Sequence, residues 1–197
     1  MGVQQSPINL HNAIGSDIGN ITVNYRSTAF EVVNNGHTIQ VNVEGGSTIM
    51  LDGVDYKLLQ FHFHTPSEHL KDGKPFKMEA HFVHISDKGV LAVLGVFIKP
   101  GKSNALLAPI WDVMPSKPGN VKGQGKISPQ QLLPKNRSFV RYYGSLTTPP
   151  CSEKVIWSVF NEPVEASPGQ AGKFSALFPM NARPAQGLNR RYVLNRK

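Results

Sequence analysis

Several stretches of this chain alternate apolar and polar residues with the period of two that a β-strand imposes on its two faces. Such runs occupy Ala29–Val33, Thr38–Val43, Tyr56–His64, Glu79–Ile85, Ala92–Ile98 and Val155–Phe160, and each predicts a strand. Helical periodicity is sparse. The best helix candidates are Asn104–Val113, stopped by Pro115, and Gln170–Phe178, stopped by Pro179. The pattern therefore predicts a mostly β chain with minor helices. No internal repeat, low-complexity tract or heptad run divides it, and 197 residues suffice for one compact domain with a sizeable core.

The strand Tyr56–His64 carries more than packing information. Alternation predicts Leu58, Gln60, His62 and His64 on one face and Leu59, Phe61 and Phe63 on the other. Two imidazoles side by side over an apolar layer make a metal-site signal. A third nitrogen ligand from a neighbouring strand would leave one tetrahedral position for water, the layout of a catalytic zinc. In Glu79-Ala-His-Phe-Val-His84, His81 and His84 lie three apart and face opposite ways, so only one can join. Glu79 shares the face of His81 and could accept its second ring N–H, as Gln60 could for His62. These arguments select His81, with His84 turned away.

Other metal readings fail on absent partners. His62-x-His64-x-x-x-Glu68 also fits the first cupin motif, yet no histidine follows His84 to complete the second. A His-Glu-x-x-His protease helix is absent too.

Gln60-Phe-His-Phe-His-Thr-Pro-Ser-Glu-His69 together with Glu79-Ala-His-Phe-Val-His84 resembles the zinc core of the α-class carbonic anhydrases, in the bacterial style. Gln5-Ser-Pro-Ile-Asn9, Asn34-Asn-Gly-His37, Leu91-Ala-Val-Leu-Gly95, Ser145-Leu-Thr-Thr-Pro-Pro-Cys151, Val155-Ile-Trp157 and Asn181-Ala-Arg-Pro184 agree in order and spacing, over essentially the whole chain. The resemblance implies one domain over residues 1–197, with a twisted, mainly antiparallel sheet of about ten strands. A few short helices lie at its periphery, and zinc sits at the base of a conical cleft.

By that resemblance His62, His64 and His81 hold Zn2+, with Gln60, Glu79 and the backbone near Asn181 orienting them. Thr147 accepts a hydrogen bond from zinc-bound hydroxide and donates its own to Glu68, while Thr148 helps position bicarbonate. His37 is the proton shuttle, with Asn35 and Gln40 on the same polar wall. Histidine is the side chain that exchanges protons most readily near neutral pH, which suits it to that task. Val83, Val93, Leu146, Val155 and Trp157 form the apolar pocket for carbon dioxide, a substrate with neither charge nor dipole. His11 and His69 carry no assignable role. The implied reaction is reversible hydration of CO2 to bicarbonate and a proton. Weak esterase activity is implied as a side reaction, and sulfonamides and anions as inhibitors. A non-catalytic binding module of the same fold would usually have lost a zinc histidine, and this chain has lost none.

Charge and cysteine usage refine this reading without redirecting it. The net charge is +8, from 21 basic and 13 acidic residues, but the basic residues are scattered and form no aromatic-interleaved stripe for nucleic acid. The densest cluster, Asn189–Lys197, reads as a solvated tail or last strand. Gln5 stands nearer the start than in full-length family members, so the segment that usually precedes it is expected to be missing. That segment normally carries the partner of the cysteine at position 151. Cys151 is the sole cysteine, so this sequence forgoes a bridge typically worth about 2–4 kcal/mol. No run is long and apolar enough to span a membrane. The resemblance favours a periplasmic or secreted protein, with a cytoplasmic one left open, and admits a homodimer for which the sequence marks no interface.

Overall fold

A computed structural model describes residues 2–196. Among the described residues there are fifteen strands: β1 (Asn9–Leu10), β2 (Ile14–Ser16), β3 (Ile21–Asn24), β4 (Phe30–Asn34), β5 (Ile39–Val43), β6 (Thr48–Leu51), β7 (Val54–His64), β8 (Leu70–Lys71), β9 (Met78–Ser86), β10 (Leu91–Pro100), β11 (Gly119–Lys122), β12 (Phe139–Ser145), β13 (Glu153–Phe160), β14 (Val164–Ala166) and β15 (Leu194–Arg196). Two helices, α1 (Leu107–Val113) and α2 (Pro168–Leu177), accompany them. All of these strands but β1 and β8 join one sheet of thirteen; ten follow the order β11-β4-β5-β7-β9-β10-β13-β12-β15-β2, while β6 pairs with β7, β3 with β6 and β14 with β10. Its pairings are antiparallel except β10 with β13, β10 with β14 and β15 with β2. No helix among the described residues is long and apolar enough to cross a membrane.

The six predicted strands all form, within two residues of their expected bounds. In the middle of the sheet the alternation disappears. Strands β9 and β10 are buried on both faces; the apolar run of β10 is accordingly almost continuous, while β9 buries Glu79, His81 and His84 among its apolar residues. One face packs Phe61, Phe63, Phe82, Leu94 and Val96 against Trp111 of α1 and Phe174 of α2. The other packs Val83, Val93, Phe97, Val155 and Trp157 with Ile8 and Tyr142.

Helix α2 starts two residues earlier than predicted. Ser167 caps it: its Oγ accepts from Gln170 N at 3.2 Å while Gln170 Oε1 accepts from Ser167 N, and Pro168 occupies the first turn. Helix α1 starts three residues later than predicted. Asn104 instead turns its Oδ1 onto Leu106 N at 3.0 Å, a local bond that competes with helix formation.

The alternation assigned to β7 needs one correction. The register against β9 shifts between Leu58 and Gln60, a bulge that inserts Leu59. Leu58 therefore packs in the same core as Phe61 and Phe63, and Leu59 is exposed. Beyond the bulge, Gln60, His62 and His64 share one face as predicted. The C-terminal cluster supplies β15, and its Arg191 is buried, donating to Gln5 O at 2.7 Å and Tyr143 O at 3.0 Å.

Candidate metal centre

Adjacent strands place the three histidines. His62 and His64 come from β7, and His81 stands directly opposite His62 on β9. One nitrogen from each lies within 4.8 Å of the others. The neighbours decide which nitrogens converge. His62 Nδ1 lies 2.9 Å from Gln60 Oε1, and His64 Nδ1 donates to Asn181 O at 3.3 Å. Both rings are thereby held with Nε2 inward, and His64 Nε2 is buried without a hydrogen-bond partner. His81 is oriented the other way round. Its Nε2 lies 3.0 Å from Glu79 Oε1, close enough for attraction though outside hydrogen-bond alignment. Its Nδ1 faces Glu68 Oε2 at 3.8 Å.

Charge around the cluster favours a cation between the rings. Burial, reinforced by the other two imidazoles, holds His62 well below its ordinary pKa, and burial brings His64 down to about 4. Both therefore offer lone pairs at neutral pH. Burial also depresses His81, but the Glu79 carboxylate outweighs it and the net shift is upward. Burial would raise Glu79, yet His69 and His81 hold it well below the usual carboxylate range. Three inward imidazole nitrogens, one of them buried and unsatisfied, are the donor set of a nitrogen-rich metal site with an open position.

His62 and His64 line a cavity of about 700 Å³, with His81 buried beside them. His62, His64, Gln60, Glu68, Thr147 and Thr148 line its depth, and Asn35, His37 and Gln40 line its side. His37 is exposed at the rim. Glu68 is buried, and its Oε1 accepts from Arg183 N at 2.8 Å. Glu68 Oε2 is without a partner; no hydrogen bond joins it to Thr147 among the described residues. The apolar set lies elsewhere than on this wall. Val83, Val93, Val155 and Trp157 are buried together behind the cluster, with Leu146 packed against them, and the Trp157 ring lies 4.8 Å from that of His81.

His84 faces away, as alternation requires, with Nδ1 on Ala92 O at 3.1 Å and Nε2 on Tyr25 Oη at 2.7 Å. His69 is the residue that sequence reasoning passed over. It is fully buried, with Nδ1 2.7 Å from Glu79 Oε1 and Nε2 2.7 Å from Tyr142 Oη, which itself meets Ser6 Oγ at 2.8 Å. No spacing signal marks this chain of contacts, whose members are scattered from Ser6 to Tyr142.

The sequence model of the eukaryotic-type carbonic anhydrases matches residues 1–197. A carbonic anhydrase from Nostoc sp. is 46% identical over 98% of this chain and 76% of its own length. A carbonic anhydrase from Neisseria gonorrhoeae is 45% identical over 98% of this chain and 77% of its own. Among solved structures, the α-carbonic anhydrase from Thermovibrio ammonificans in complex with the inhibitor sulfanilamide superposes with a TM-score of 0.95. It is 49% identical, and the match covers 100% of this chain and 88% of that one.

Proposed function

The chain belongs to the eukaryotic-type, or α, carbonic anhydrase family, and from that premise we propose that it catalyses the reversible hydration of carbon dioxide with zinc held by His62, His64 and His81. The observation that carries this reading is the convergence of three imidazole nitrogens, within 4.8 Å of one another, with the His62 and His64 rings open to the cavity. Zinc so held would act as a Lewis acid that makes hydroxide available near neutral pH, an effect for which carbonic anhydrases are the standard example, with a water pKa of about 7.

The protein's own groups do the rest. Gln60, the backbone carbonyl of residue 181 and Glu79 orient the three ligand rings. Glu68 Oε1 is committed to Arg183 N, which leaves Oε2 as the acceptor for the Thr147 hydroxyl. With its proton so committed, Thr147 Oγ can only accept, and it selects a nucleophile that presents a proton to it. The apolar layer of Val83, Val93, Leu146, Val155 and Trp157 packs behind the cluster and lowers the polarity on that side of the metal. Thr148 and the polar wall of Asn35 and Gln40 receive the anionic product. His37, at the rim, accepts the released proton and passes it to buffer. The relative from Thermovibrio ammonificans binds sulfanilamide, and inhibition of this chain by sulfonamides follows from the same reading.

The deciding experiment is stopped-flow CO2 hydration by zinc-loaded protein beside a chelator-stripped sample. Rapid hydration that vanishes with the metal and returns on adding zinc supports the reading. No hydration with stoichiometric zinc bound overturns it.

A further inference from the structure

The side chain of Asn181 joins the cavity rim to the strand that carries two of the three clustered histidines. Its Nδ2 donates to His37 O at 2.9 Å and to Phe63 O at 3.1 Å, and its Oδ1 accepts from Thr65 N at 2.8 Å. Both amide protons and the amide oxygen are thus engaged, which fixes the orientation of the group. Phe63 lies between His62 and His64, and its carbonyl also accepts from Thr38 Oγ1, one residue beyond His37. The backbone N–H groups of residues 36–38 bond within their own turn, Gly36 N to Asn34 Oδ1 and His37 N and Thr38 N to Asn35 Oδ1, and Asn34 Nδ2 ties the start of the turn to Pro115 O at 2.9 Å. The rim at His37–Thr38 is therefore held to β7 at one residue, Phe63, by two side chains.

We propose that the Asn181 side chain is a positioning residue for proton transfer, setting where His37 stands relative to the ligand histidines. The proposal rests on His37 being the shuttle. It is separable from metal binding, because His64 is oriented by the Asn181 backbone carbonyl, which any residue at this position retains. An alanine would free His37 O and leave Thr65 N without its side-chain acceptor, while Thr38 stays on Phe63 and the residue-181 carbonyl stays on His64. An aspartate would place a carboxylate oxygen against two carbonyls, where no donor remains.

The test compares zinc-loaded wild type, Asn181→Ala, His37→Ala and the double variant in CO2 hydration, at low buffer and with added imidazole. The expected result is a kcat for Asn181→Ala lower by about tenfold in weak buffer, restored by imidazole, with kcat/KM and zinc content unchanged and no further loss in the double variant. A second readout needs no turnover: amide hydrogen exchange over residues 35–38 should quicken about tenfold in Asn181→Ala, while that of β7 does not. A slowed His37→Ala beside an unchanged Asn181→Ala overturns the positioning role alone, whereas an unchanged His37→Ala removes the shuttle on which it rests. A parallel fall in kcat/KM, or loss of zinc in both Asn181→Ala and the milder Asn181→Ser, overturns it by making Asn181 a structural residue.

Discussion

Glu79 Oε1 lies 2.7 Å from His69 Nδ1 and 3.0 Å from His81 Nε2, so one fully buried carboxylate oxygen serves two rings at once. Replacing it by Glu79→Gln removes the charge and turns an amide toward one of these nitrogens. Zinc affinity is expected to fall about 10–100-fold, measured by competition with a chromophoric chelator. An unchanged affinity would show that His81 needs no charged partner.

Gly95 stands across the sheet from His81 on β10, where an added Cβ would come 3.0 Å from Glu79 Oε1 and 3.1 Å from Val159 Cγ2. Neither neighbour is free to retreat. Gly95→Ala is expected to cost about 1–3 kcal/mol of stability and to weaken zinc binding through Glu79. Denaturant melts with and without zinc separate the two effects. A variant of wild-type stability and affinity would mean that the carboxylate has room to shift.

Thr147→Ala removes the hydroxyl that would mediate between Glu68 Oε2 and the nucleophile. Activity should drop on the order of 10²-fold while zinc stays bound. Metal analysis of the purified variant is the control, because loss of zinc would assign Thr147 to the fold instead.

His84 supplies a pH dependence independent of turnover. With Nδ1–H on Ala92 O, its Nε2 must accept from Tyr25, and burial lowers its pKa to about 3. Unfolded, the ring takes up a proton near pH 6.5, where the folded protein refuses it. Stability from this group is therefore complete above about 6.5 and is lost as pH falls toward about 3, at roughly 1.4 kcal/mol per pH unit. His62 and His64 act in the same direction. Unfolding of zinc-free protein measured between pH 7 and pH 4 should show this slope, reduced by about one proton in His84→Asn. An equal slope in the variant would mean that the ring is protonated inside the fold.

Much of the site was legible because a strand's alternation is local. His62, His64 and the turning away of His84 follow from counting by two along β7 and β9. Counting fails where the backbone departs from regularity: the bulge at Leu59 put Leu58 in the opposite layer, which no pattern in Lys57-Leu-Leu-Gln60 announces. Strand β12 was missed because its buried face includes Arg141, which breaks the apolar rhythm while its guanidinium reaches Asp52 at 2.7 Å. His69 was invisible for a different reason. Its partners are Glu79, ten residues on, and Tyr142, seventy-three residues on, so only the closed sheet brings them together.

Strand β9 is flanked on both sides by long partners, β7 and β10, and is buried along nearly all its length. A ligand on such a strand cannot swing out by the fraying of a loop. Moving the His81 backbone away from the cluster requires opening the ladders of β9 with β7 and β10. An ion can therefore leave only by the cavity in front of His62 and His64, with His81 still in place, so the emptied site stays shaped to take the metal back.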